Sequence, residues 1–211
     1  MRKYQSSEVQ RLLDSYELRV CAMVGCPNRF FSEALTPHVN VNVSHVSGLL
    51  SYLTYSLGLL RFTDPSKRTV FLYTDARDAA TSLYSQQRPT TNYMAMRGIV
   101  DKETSMSGRR VPQTLEAYVS SHTDAFQFVR LLTNYKKESE RNPGRLMLVK
   151  YDSFWEHADE ILSFCQVPAR LPVKSHVQAP PTTHPLALQL INKFAEYTRL
   201  YESLPDVYVG E

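Results

Sequence analysis

The most chemically loaded spot in the sequence is a single turn. Asp75, Arg77 and Asp78 follow directly on residues 70–73, Val-Phe-Leu-Tyr, a β-prone apolar run too short to be a helix. The segment therefore reads as a buried strand feeding the N-terminus of a helix that continues past Ser82. Open α/β sheets hold ligands just beyond the carboxyl ends of their strands, where helix N-termini offer free backbone N–H groups to anions. Residues 74–78 are thus the first place expected to bind one. The plainer reading is also open: Asp78 suits the first turn of any helix, and Arg77 can pair with Asp75.

Other reactive side chains lie around this turn in sequence. His45 closes the alternating run 39–44, VNVNVS, where an imidazole can accept the proton of an attacking hydroxyl or serve as an ordinary loop residue. Cys26, in the turn Gly25-Cys26-Pro27, has no base beside it in sequence and reads as a neutral packing thiol. His122 falls on an apolar stripe and is expected in or near the core.

The elements that must position these groups alternate. A small amphipathic helix over 7–17 leads into a dense apolar strand over 18–25, a tight turn, and a short helix over 30–35. The strand at 39–44 is followed by a helix over 46–60, and Thr63-Asp64-Pro65-Ser66 returns the chain to the strand at 70–73. Residues 86–113 have little periodicity and many Arg, Thr, Ser and Met residues, as an active-site lid or acceptor loop would. A long helix is expected over 113–140, ended by Asn142-Pro143-Gly144. A fourth apolar strand covers 145–151, with Asp152 or Ser153 placed to cap the next helix, whose inward face is Trp155, Ala158, Ile161, Leu162 and Cys165. A connector over 167–185 holds five prolines, and a closing helix spans 186–201.

Strand and helix in alternation imply parallel pairing, so the expected fold is a single α/β domain. Its central parallel sheet has about four or five strands, flanked by helices on both faces. At 211 residues and 43% hydrophobic composition, one core is enough. The net charge of +3 is spread out, without the basic stripe of a nucleic-acid binder. Three cysteines without metal spacing suggest buried thiols in a reducing compartment. The polar N-terminus lacks the apolar run of a signal peptide, and residues 46–60 are too short and too polar for a membrane span. A cytoplasmic location is expected.

Four stretches in register resemble the sulfotransferases that use 3′-phosphoadenosine 5′-phosphosulfate. They are Gly25-Cys26-Pro27 before a helix, Val43-Ser44-His45 after the second strand, YTDARDAATSLY over 73–84, and LMLVKYDSFWEHADEILSFCQVP over 146–168. The family's landmarks read roughly G-x-P-[RK]-S-G-T-T, K-[ST]-H, R-[DN]-P-[RK]-D-x-x-x-S and L-x-[YF]-E-[DN]-L, and the match covers about three quarters of the chain. The resemblance implies a P-loop-like architecture and transfer of a sulfuryl group from that nucleotide to a hydroxyl or amine of a small-molecule or glycan acceptor, without a metal. It implies that Pro27, Asn28, Arg29, Phe30, Phe31 and Ser32 hold the 5′ side of the nucleotide, that Thr74, Arg77 and Ser82 face its 3′-phosphate, and that His45 is the general base. The chain departs from the pattern where Asn28 and Arg29 stand at the basic and Ser positions, where Phe30 and Phe31 replace Gly and Thr, where Val43 replaces Lys, and where Thr74 replaces Arg. Arg88, Arg97, Lys102, Arg109 and Arg110 are then candidates for a basic lid over the nucleotide or a solvated loop. A catalytically inactive relative that binds a partner or another anion is the alternative. Another P-loop-like transferase, such as a nucleotide kinase, is a weaker one, since no G-x-x-x-x-G-K-[ST] pattern occurs.

Overall fold

The computed structural model describes residues 15–23, 26, 28–41, 67–85, 112–171 and 186–210. They form β1 (Leu18–Ala22), α1 (Arg29–Leu35), β2 (Arg68–Tyr73), α2 (Ala76–Ser85), α3 (Leu115–Ser120) and α4 (Phe128–Arg141). There follow β3 (Leu146–Lys150), α5 (Ala158–Cys165), α6 (Ala187–Lys193), α7 (Ala195–Ser203) and β4 (Val207–Val209). The strands make one open sheet in the order β1-β2-β3-β4.

The α/β class is as expected, but the sheet is mixed. β1, β2 and β3 run parallel, with Val20 level with Val70 and Val70 level with Met147. β4 runs antiparallel to β3, Tyr208 opposite Leu148. β4 follows α7 after residues 204–206 alone and adds to the sheet beside β3. On the far side of β1, Val41 bridges in parallel to Leu18. The remainder of the strand expected at 39–44 lies outside the described residues, as do nearly all of the lead-in helix, the helix at 46–60, residues 86–111 and most of the proline-rich connector.

Continuous apolar runs make the central strands because both faces of the sheet are covered. Every residue of β1 is buried, and so is β2 from Thr69 onward. Side chains of level residues share a face, so Cys21, Phe71 and Leu148 point one way. There the Tyr135 ring of α4 stacks on Phe71 with centroids 3.7 Å apart. On the opposite face the Arg68 guanidinium lies 5.9 Å over the Phe164 ring of α5. Fully burying each such aromatic contributes about 1.5–3 kcal/mol.

Two expected helices are each divided. The helix expected over 113–140 breaks into α3 and α4, because the Asp124 carboxylate accepts the Phe126 N–H (3.1 Å) and the Phe128 N–H (2.6 Å) and so starts a new helix. Gln127 turns left-handed at φ 52° to make the corner. The apolar stripe hides this break, since Phe126 is buried as though it were helical. His122 consequently sits exposed in the corner and not in the core. The closing helix bends at Phe194, which ends α6 and begins α7. Asp152 and Ser153 do not cap α5 either: residues 151–157 form turns, and α5 starts after His157 without a side-chain cap. The Asn142-Pro143-Gly144 stop is as expected, Gly144 taking φ 70° where a Cβ would be strained.

Candidate functional site

The strand order places a switch point between β1 and β2: Val41 pairs outside β1, whereas β3 pairs outside β2. The crevice at the carboxyl ends of these two strands is where an open α/β sheet takes its ligand. The strand ends are closely tied there, the Met23 N–H donating to the Leu72 carbonyl at 2.8 Å. The Tyr197 hydroxyl of α7 donates to the Thr74 carbonyl at 2.7 Å and lies 3.2 Å from Met23 Sδ.

Beyond β2, the sequence puts an acidic cap on α2. Asp75 Oδ1 accepts the Arg77 N–H at 2.7 Å, and the Asp75 carbonyl accepts the Ala79 N–H at 3.0 Å. The Arg77 guanidinium folds back onto the same carboxylate through Nε (2.9 Å) and Nη2 (2.5 Å). Arg77 therefore tolerates a helix N-terminus, where a cation is ordinarily disfavoured, because its counter-ion is the cap itself. That hydrogen bond holds its pKa above the usual arginine value, with Asp78 and Glu202 adding to it. The half-buried Asp78 carboxyl is pushed up by burial first, then by the charges of Asp75 and Asp152, with Arg77 opposing.

The end of β3 completes the rim. Lys150 Nζ lies 3.3 Å from Asp206 and 4.9 Å over the Tyr201 ring. The Tyr201 hydroxyl donates to Asp152 Oδ2 at 3.2 Å. Among the described residues, the rim thus sets the carboxylates of Asp75, Asp78, Asp152 and Asp206 against the cations Arg77 and Lys150. Lys150, Tyr197 and Tyr201 were not singled out from the sequence, and Asp152 was expected only as a helix cap. A lysine ending an apolar strand and two tyrosines one helical turn apart were the signals available.

The residues after β1 divide in two. Asn28 is buried just before α1 and makes no side-chain cap. Arg29 points outward, its Nε 2.7 Å from Glu33 Oε1 on the exposed side of α1. Phe31 is fully buried and Phe30 half-buried. Phe30 packs 4.6 Å from the Trp155 ring and 5.2 Å from Phe154, and Phe31 5.1 Å from Phe154, which ties α1 to the turn after β3. Ser32 is buried with its hydroxyl donating to the Asn28 carbonyl at 3.4 Å. Ser82 is half-buried on α2, one turn beyond Asp78 on the same side of the helix.

The structure thus brings Thr74 and Arg77 together beyond β2, while Arg29 lies exposed along α1, paired with Glu33. Pro27, His45 and the basic residues of 86–111 lie outside the described residues. Cys26 is buried, and its thiol is pushed well up by burial and by the Asp152 charge, so it stays neutral. Among the described residues no group of His, Cys, Asp and Glu is arranged to hold a metal ion, and no helix is long and apolar enough to cross a membrane. Comparison of the chain with protein-family models, with curated proteins and with solved structures finds no match.

Proposed function

We propose that this chain is a sulfotransferase-like protein that moves a sulfuryl group from 3′-phosphoadenosine 5′-phosphosulfate to a hydroxyl or amine on a small molecule or glycan. The observation that carries the reading is the adjacency of the two stretches that resemble the nucleotide-binding landmarks. They leave neighbouring parallel strands at the switch point, with Met23 bonded to Leu72 and Tyr197 to Thr74. A ligand with phosphates at both ends of a nucleoside needs two such loops side by side. The fourth landmark, which begins on β3, lies on the next strand over.

In this reading Pro27, Asn28, Arg29, Phe30, Phe31 and Ser32 face the 5′ side of the nucleotide, and Thr74, Arg77 and Ser82 its 3′-phosphate. His45 takes the proton of the acceptor as its oxygen or nitrogen attacks sulfur. The sulfur–oxygen bond to the phosphate breaks, and the nucleotide leaves as the 3′,5′-bisphosphate. Positioning and fixed charge supply the acceleration, and no metal is given a role. A cytoplasmic location belongs to the same proposal and is supported by three buried cysteines that form no disulfide. The test is transfer of radiolabelled sulfate to a panel of hydroxyl and amine acceptors. Wild type should transfer, and His45→Ala should bind nucleotide without transferring; equal transfer by both removes His45 from the mechanism.

A second reading has its own support. Both arginines assigned to the nucleotide are already neutralised, Arg77 by Asp75 and Arg29 by Glu33. A protein that keeps the sheet and binds a ligand without catalysis would tolerate this. Nucleotide binding with no transfer to any acceptor would favour it.

A further inference from the structure

The last described part of the chain touches the end of every parallel strand of the sheet. At β1 and β2, Tyr197, which is fully buried, reaches Met23 Sδ and the Thr74 carbonyl. At β2 again, the Tyr73 hydroxyl donates to the Pro205 carbonyl at 3.4 Å. At β3, the Lys150 N–H donates to the Asp206 carbonyl at 2.8 Å, its ammonium pairs with the Asp206 carboxylate, and Tyr201 bonds to Asp152. Residues 197–206 therefore run past the carboxyl ends of β1, β2 and β3 in turn.

The bond to Thr74 is the informative one. The Thr74 carbonyl and the Asp75 N–H belong to one planar peptide unit. A hydroxyl that fixes the carbonyl direction also fixes where the Asp75 side chain departs, and Asp75 in turn carries Arg77. We infer that residues 197–206 act as a strap that sets the nucleotide site from behind, with Tyr197 as the positioning residue for the Asp75–Arg77 fork. A ligand that engages Arg77 then favours the seated strap, and the seated strap favours the ligand by the same factor. The positioning role stands on geometry alone; the coupling to a nucleotide rests on the function proposed above.

The test compares Tyr197→Phe with Tyr201→Phe, a control that removes a strap bond at β3 instead of β2. In backbone hydrogen exchange of the unliganded proteins, Tyr197→Phe should speed exchange in the first turn of α2, at Arg77 and Ala79, and leave β3 and α4 unchanged. Tyr201→Phe should leave that first turn protected. The inference is overturned if Tyr197→Phe leaves Arg77 and Ala79 as protected as in wild type, or speeds exchange everywhere alike. In parallel, isothermal titration with 3′-phosphoadenosine 5′-phosphate should show binding weakened about three- to tenfold in Tyr197→Phe, the worth of one hydrogen bond. Equal affinity in both proteins overturns the coupling while the functional reading survives. No binding to wild type overturns the functional reading, and the exchange result then decides the positioning role alone.

Discussion

Arg77 and Asp75 form a two-pronged ion pair across the first turn of α2, with the Asp75 carboxylate also accepting the Arg77 backbone N–H. One carboxylate therefore caps the helix and neutralises the cation that a 3′-phosphate would need. The two roles separate by substitution. Asp75→Ala should lower stability by about 1–2 kcal/mol in urea unfolding, the worth of an N-cap. Asp75→Asn, which keeps a capping oxygen but no charge, should lose less and bind the nucleotide more tightly than wild type. Equal stability of the alanine variant and wild type would show that the cap contributes nothing.

Asp78 gives the site a pH signature. Its carboxyl is raised by burial and by Asp75 and Asp152, so the folded chain holds this proton more tightly than the unfolded chain. The stability it contributes is fully present below the ordinary carboxylate pKa and is lost as pH rises through the raised value. Asp78 also sits in the first turn, where the macrodipole favours an acid, but the net upward shift shows that burial and like charge win. Asp78→Asn should accordingly be more stable than wild type at neutral pH, with the gap closing toward acid. A gap that is constant with pH, or reversed in sign, would contradict this.

The corner between α3 and α4 depends on Asp124. Its carboxylate accepts the Tyr118 hydroxyl and the N–H groups of Phe126 and Phe128 in a buried setting. Asp124→Ala strands those donors, and each buried unsatisfied group costs about 1–3 kcal/mol. A loss of roughly 3 kcal/mol in denaturant unfolding is expected, with Asp124→Asn recovering part of it.

The C-terminal edge strand is held by a relay in which the Gly210 N–H donates to Ser139 Oγ and that hydroxyl donates to the Leu146 carbonyl, both at 2.8 Å. A Cβ on Gly210 would meet the Ser139 carbonyl oxygen at 2.2 Å and Glu140 N at 2.6 Å, backbone atoms that cannot swing aside. Gly210→Ala should cost about 1–3 kcal/mol, as overpacking does. Calorimetry should show this as a drop of several degrees in Tm, about 2–4 °C per kcal/mol at this size.

The central strands were legible because burial on both faces favours apolar runs, and residues 70–73 and 146–149 are unbroken ones, while 18–22 is interrupted only by the buried Arg19. β4 was not, because Val207, Tyr208 and Val209 are half-buried edge residues held mainly by main-chain pairing to β3. The break at residues 121–127 was hidden by apolar residues that stay in phase across it, while the cause was one buried aspartate. At the site, the pairing of Arg77 with Asp75 was readable from their spacing, whereas Asp75 as the cap of α2 was not singled out. Tyr197 and Tyr201 were not, since nothing local in residues 195–203 tells that this helix returns to the ends of strands more than a hundred residues earlier in the chain.

The central claim is that the crevice between β1 and β2 binds a nucleotide phosphorylated at both ends. The direct measurement is the thermal stability of wild-type protein and of Arg77→Ala with 3′-phosphoadenosine 5′-phosphate. Ligand at a hundred times its Kd adds about 2.7 kcal/mol, a rise of about 5–10 °C for a chain of this size. The account predicts that rise for wild type and a clearly smaller one for Arg77→Ala. No rise in wild type at millimolar nucleotide, or the same rise in both proteins, would contradict it.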